Sequence, residues 1–351
     1  MRKTAISLGV VGVVFVIAAA LLAFWITPTF IARLPGDSNT TRTYSGRVTT
    51  VLIPAVLQQG NLAAAIRHGL PETINRQVKV LQTSGNTALV KDTSTSTSSG
   101  TQLGVISSQY AVDRKSLEAT ASHPSDWSVT NAKGLTISWP IGAKKQNYTG
   151  WVNYTQTTTQ LKYVRQEQHG GVNTYVYQAT VPATPIKNPQ VLANLPKALP
   201  FNVLQAASKV GLLSSSALAS LSKLFPNGLQ IPLGYTYEAT STYWVAPDTG
   251  IVVDVSRSQR QTAGVALPNG KIIPLLPAFA DNFKATSSSV QAAATDAKNG
   301  SNAITTLGVA VPIIALVLGV VLIIVAVILW IRGRERGLPA AAEPPPTGAR
   351  I

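Results

Sequence analysis

The chain has 351 residues, a formal net charge of +15 and no cysteine. Lack of cysteine excludes disulfides, thiolate nucleophiles and cysteine-ligated metals, and Lys and Arg that never form a block argue against nucleic acid as a partner. Six of the 29 basic and two of the 14 acidic residues lie at the two ends, so the stretch between carries +11, a charge drawn to anionic lipid or envelope polymer.

Arg2 and Lys3 precede an uncharged run from Thr4 to Ala32 that is apolar through Ile26. At about 22 residues the apolar part is longer than the usual core of a cleaved signal peptide. Phe30-Ile31-Ala32 is a weak cleavage site, so the reading is an N-terminal segment 1–4 and an uncleaved membrane span at 5–27. A region rich in Thr, Ser, Tyr and Val follows, which suits strands. Ser45–Leu52 reads as the first strand, and Pro54 to His68 as a helix with proline in its first turn and Gly69-Leu70-Pro71 as its stop. Val78–Gln82, Thr87–Lys91 and Gly104–Val112 read as further strands, and Ser94–Gly100 as a loop.

From Leu135 the alternation sharpens. Leu135, Ile137, Trp139 and Ile141 alternate with polar residues, as a half-buried strand does. Tyr175 to Val181 repeats the pattern, and so does Tyr235 to Val245. Pro247-Asp248-Thr249-Gly250 then supplies a turn, with proline to set φ and glycine for a positive φ. Ile251, Val253 and Val255 return on one face, with Asp254, Ser256, Ser258 and Arg260 on the other, which makes a long antiparallel hairpin.

Pro189 to Pro226 is apolar, with three lysines as its only ionised side chains. Ala217, Leu218, Leu221, Leu224 and Phe225 form a stripe at helical spacing after a serine cap. Two short helices outside the central sheet are expected here, either as cover for the sheet's apolar face or as a movable lid over a lipid-sized cavity. Ser287–Asn299 reads as an Ala-rich helix that packs through Val290, Ala293, Ala294 and Ala297 and stops at Gly300. Leu307 to Ile331 has no charge and is long enough to cross a bilayer as a helix. Arg332, Arg334 and Arg336 follow it and mark the cytoplasmic side. The Pro-rich tail, 332–351, reads as disordered.

Catalytic chemistry is hard to find. His68, His123 and His169 have no metal-ligand spacing, and Ser125-Asp126 beside His123 is local adjacency, which is not how triads are built. Hydrolase elbows, phosphate loops and paired acids are absent, so no enzyme activity, cofactor or metal is expected. The aromatic residues point instead to binding. Trp139, Trp151 and Tyr154 are candidates for a pocket that takes acyl chains or sugar rings, with Leu218, Leu221 and Phe225 as the ligand-facing stripe of a lid.

Several blocks carry a resemblance: TPTFIARLP, QYAVDRKSLEA, GLTISWPIGAKKQNYTGWVNYT, HGGVNTYVYQATVPATPI and STYWVAPDTGIVVDVSRSQRQ, together with the closing stalk and span. In these the chain resembles a family of actinobacterial two-span envelope proteins labelled the porin-A family. The resemblance implies a β-rich outer domain held by two helices, a fold compared to lipid-binding domains, and a role in trafficking or maturation of envelope glycolipids. Two helices cannot enclose a pore, so a channel would require oligomers, and neither span carries a polar stripe to line one.

The expectation is an α+β protein: a curved antiparallel β-sheet domain with covering helices at 30–303, between spans at 5–27 and 307–331. It sits in the plasma membrane with both termini cytoplasmic and the main domain outside. Its partners are membrane lipids, a lipid or glycolipid ligand, and envelope transport or assembly proteins. The alternative is a structural or pore-forming subunit. A reporter fused after Arg336 is expected to be active only as a cytoplasmic fusion; activity confined to the outside overturns the assignment.

Overall fold

The computed structural model describes residues 2–53, 56, 62–209, 211, 213–225 and 230–335. They form two units, one from the two ends of the chain, to Ala32 and from Ser301, and one from Arg33–Gly300.

In the terminal unit an α-helix at Arg2–Leu21 widens into a π-helical stretch at Leu22–Ile31 that contains Pro28, a residue with no backbone donor to continue the α-helical ladder. The C-terminal α-helix, Val311–Glu335, follows a π-helical turn at Thr306–Ala310. The helical runs Lys3–Thr29 and Ser287–Arg332 are both long and apolar enough to cross a membrane. Gly300 therefore does not stop a helix as expected, because residues 287–305 are continuously helical. The two terminal helices meet through glycine. A Cβ on Gly12 would lie 2.7 Å from the Gly319 carbonyl oxygen, and one on Gly319 would lie 2.8 Å from that of Gly12. Such close backbone approach is how apolar helices associate where lipid removes the hydrophobic drive. Both helices are π-helical where Thr27 Oγ1 donates to the Leu307 carbonyl at 3.1 Å.

The Arg33–Gly300 unit is built on a twelve-stranded antiparallel sheet. The strands are β1 Asn39–Leu52, β2 Ile66–Arg67, β3 Leu70–Ser84, β4 Thr87–Ser98, β5 Thr101–Asp113, β6 Tyr148–Val152, β7 Thr157–His169, β8 Val172–Pro185, β9 Ala198–Pro200, β10 Gln230–Val245, β11 Val252–Ala266 and β12 Ile272–Ala285. Their order is β5-β4-β3-β1-β12-β11-β10-β8-β7-β6, with β2 on β1 and β9 on β10. β1 is thus the seam between an N-terminal meander and the C-terminal strands. Bulges interrupt the register at Val48/Thr50, Val80/Gln82, Tyr237/Ala239 and Gln261/Thr262. Bulges add twist, and the sheet curls into a half-barrel. Single-residue bridges link its two ends: Val112 of β5 to Ala119, Glu118 to Leu135, and Leu135 to Gly150 of β6.

Those bridges correct one expectation. Leu135–Ile141 alternates like a strand, and Leu135, Ile137 and Trp139 are buried, but the segment is not a strand. Its backbone bonds scatter: Leu135 accepts from Trp151, while Trp139 donates to the Gly250 carbonyl at 3.2 Å, joined there by Ser138 Oγ at 2.6 Å. The alternation records a plug that runs from β6 to the β10–β11 turn. Ser94–Gly100 is likewise not a loop. Ser94–Ser98 completes β4, paired on both sides, and only Ser99 and Gly100 turn, at positive φ. Of the helix expected from Pro54 to His68, Leu62–Ala65 is helical, but Ile66 and Arg67 pair with β1 instead; residues 54–55 and 57–61 lie outside the described residues. His68 ends no helix, and its Nδ1 lies 2.9 Å from the Thr49 carbonyl oxygen.

In the apolar segment, helices occupy Pro189–Leu192, Phe201–Lys209 and Ser215–Leu224, the last capped by Ser214 Oγ on the Ala217 amide. Pro226 lies outside the described residues. Contrary to expectation the segment contributes a strand, since Ala198–Pro200 pairs with Gln230–Pro232 at the start of β10. Leu221 is buried in a cluster with Leu199, Leu204, Ile231, Val265 and Leu276, with Leu218 and Phe225 packed on its rim. Leu224 departs from the expected stripe and is exposed.

Two substitutions check this account. Gly250 has φ +72°, and a Cβ there would lie 2.0 Å from the Trp139 carbonyl oxygen. Gly250→Val should cost more than the roughly 1–2 kcal/mol of the left-handed backbone alone, read as thermal unfolding of the full chain. Leu221→Asp should cost at least the roughly 3 kcal/mol typical of truncating a buried leucine and unfold the domain; a folded variant would mean the stripe covers no core.

Candidate functional site: a cavity with a polar floor

Inside the curve of the sheet lies a cavity of about 750 Å³. Inward positions of a curved sheet are ordinarily apolar. Here Glu72 and Arg76 on β3, Asp92 on β4, Ser241 and Tyr243 on β10, Arg257 and Gln259 on β11 and Asp281 on β12 all line it. Each sits in the alternation that turns its strand's apolar residues inward, as Arg257 and Gln259 continue the parity of Val253 and Val255.

Most of these groups are paired. Arg76 holds Asp92 with three hydrogen bonds, of 2.7, 3.0 and 3.2 Å. Arg257 donates to Ser241 Oγ at 2.9 Å and to the Tyr243 hydroxyl at 2.7 Å. Burial works to raise the Tyr243 phenol, but the adjacent Arg257 charge and hydrogen bonds outweigh it and the pKa falls below its ordinary value. The Tyr237 hydroxyl donates to Gln259 Oε1 at 2.8 Å, and Gln259 Nε2 in turn donates to Asp281 Oδ2 at 3.0 Å. Ser96 donates to Glu72 Oε1 at 2.5 Å.

Glu72 and Asp281 form the exception. They are 3% and 1% exposed, and each keeps an oxygen, Glu72 Oε2 and Asp281 Oδ1, with no donor among the described residues. Burial raises the pKa of both; for Asp281 the neighbouring Glu72 charge adds to it, pushing the group up to about 8. Two buried carboxyls in one environment cannot both ionise, so the pair carries one proton. Gly46 of β1 pairs with Glu72 on one side and Phe283 on the other. A Cβ there would lie 2.1 Å from the Asn282 carbonyl oxygen, so glycine lets β12 press against β1 and bring Asp281 towards Glu72.

Of the residues expected to bind a ligand, Trp139, Trp151 and Tyr154 line this cavity. Tyr154 stacks on Tyr237 with ring centroids 4.3 Å apart. Leu218, Leu221 and Phe225 do not join them and belong to the separate apolar cluster described above. The histidines also stand apart. His123 stacks on Trp127, and His169 packs on Trp244 with Nε2 2.8 Å from Asp254. The polar floor escaped sequence reasoning, although one signal was present: Arg257, Gln259 and Gln261 fall on the apolar parity of β11.

The raised Asp281 pKa makes stability depend on pH. The folded chain holds this proton more tightly than the unfolded chain, so the stabilisation is present at acid pH and lost as pH rises through about 8. Asp281→Asn retains an acceptor for Gln259 and removes the charge. The variant should unfold at a higher temperature than the parent at about pH 8, by about 1–3 kcal/mol, with a flatter pH profile.

Comparison with known proteins gives a family but no informative relative. No curated protein matches. Solved structures that align include an acyl-CoA thioesterase II, TesB2, from Mycobacterium marinum (8% identity, 77% of this chain and 86% of that one, TM-score 0.13). A MaoC-like dehydratase (9%, 77% and 82%, TM-score 0.14) and a thioesterase from Novosphingobium aromaticivorans DSM 12444 (10%, 77% and 85%, TM-score 0.11) also align. Likeness at these scores carries no argument about fold or chemistry. A family model described as Porin PorA matches residues 4–328, nearly the whole length, and the chain belongs to that family.

Proposed function

We propose that this envelope protein binds an amphiphile in the cavity of its sheet domain and hands it to envelope lipid trafficking or maturation. The terminal helices anchor it as a two-pass protein of the plasma membrane, with both termini cytoplasmic and the sheet domain outside. The observation that carries the reading is the cavity itself. Its volume falls within the range of small-molecule sites. Ile106, Val181, Val191 and Leu195 bring an aliphatic wall to it from the cluster around Tyr235 and Tyr237, while Glu72, Asp281 and Arg257 bring a polar one. A site with both kinds of wall suits a molecule with both kinds of end. The assigned role is binding rather than catalysis. The family's description favours a second reading, an oligomeric pore, whose lining would need more helices than the two of a single chain.

Native mass spectrometry of gently extracted full-length chain separates the two. Bound lipid is expected on a monomer or small oligomer, and Ile106→Trp, which fills the aliphatic side, should remove it at a stability cost of about 1–3 kcal/mol. A ring of lipid-free subunits that conducts ions in a planar bilayer would replace binding with the pore.

A further inference from the structure

Five buried side-chain atoms that make no hydrogen bond among the described residues belong to residues lining this one cavity: Glu72 Oε2, Asp281 Oδ1, Thr136 Oγ1, Trp139 Nε1 and Trp151 Nε1. Buried polar groups in native proteins are almost always paired, so their convergence calls for a partner. The chemistry of the five narrows that partner. Carboxylate oxygens accept, indole N–H groups only donate, and a threonine hydroxyl does either. A phosphate offers the indoles acceptors but faces two carboxyls. An ammonium group suits the carboxyls but has nothing for the indoles. Hydroxyl groups serve both. Charge points the same way: Glu72, Asp281 and Asp92 face Arg76 and Arg257, and with one proton shared between Glu72 and Asp281 the floor is neutral.

We propose that the cavity floor is a binding site for an uncharged polyhydroxylated group, with the Trp139 and Trp151 indoles donating to its hydroxyls and Glu72 and Asp281 accepting from them. The site deepens the amphiphile reading and rests on it for the aliphatic wall alone. The same hydroxyl chemistry is offered by a free sugar and by the head group of a glycolipid.

Calorimetric titration of the full chain in nanodiscs, blanked against empty nanodiscs, tests this with three probes: methyl β-glucoside, hexyl β-glucoside and hexyl phosphate. Hexyl glucoside should bind at least about tenfold tighter than either of the others. Trp151→Phe and Glu72→Gln should each weaken it by about tenfold, the loss of one hydrogen bond to a buried group. If Trp151→Phe fails to fold, Glu72→Gln carries the test, since it keeps volume and removes a buried charge. Equal binding of hexyl phosphate and hexyl glucoside overturns the polyhydroxyl site and leaves the amphiphile reading intact. Equal binding of methyl and hexyl glucoside upholds the site and overturns the amphiphile reading. Binding of none of the probes overturns both.

Discussion

The sheet domain depends on β1 being paired along both edges. Tyr44 stands between Ile74 of β3 and Ala285 of β12, and Gly46 between Glu72 and Phe283. The pairings with β12 join segments more than two hundred residues apart, and such non-local closure is the slow, costly step in building a sheet. Only when it is made do β3 and β12 flank one strand, and only then do Glu72 and Asp281 share an environment. Gly46 is the narrowest point, where backbone occupies the space a side chain would need.

The interior this creates is not the one a sheet of this size would choose for stability. Leu199, Leu204, Ile231 and Val265 make an ordinary apolar core beneath the short helices, and Val90, Tyr110 and Val112 make another. Between such clusters lies the polar floor, in which a buried carboxyl pair and two arginines are held by hydrogen bonds. Replacing such a group with an apolar residue of similar size is often neutral or stabilising. Local departures from the best packing mark functional sites, and here the departure and the cavity coincide.

The terminal unit follows a different rule. In lipid, apolar side chains drive nothing together, and contact falls to residues that let backbones touch. Gly12 and Gly319 do so, and the Thr27 hydroxyl adds one bond where both helices are π-helical.

The two apolar terminal helices, the hairpin Tyr235–Arg260 and the Ala-rich helix were legible in the sequence because each obeys a local rule: an uncharged run, a period of two around a Pro–Gly turn, a period near four. The aromatic candidates Trp139, Trp151 and Tyr154 were legible as residue types that build pockets. Local rules fail where the backbone's partners are distant. Leu135–Ile141 has a strand's alternation and is a plug, because period two reports which side chains are buried and not where the backbone bonds go. Leu218, Leu221 and Phe225 have the stripe of a lid and cover a core, because a stripe does not name what it faces. Glu72 and Asp281 carry no motif. Their parity turns them inward, but that they meet each other over Gly46 is decided by strand order, which hydrogen bonds between distant segments settle and residue spacing does not.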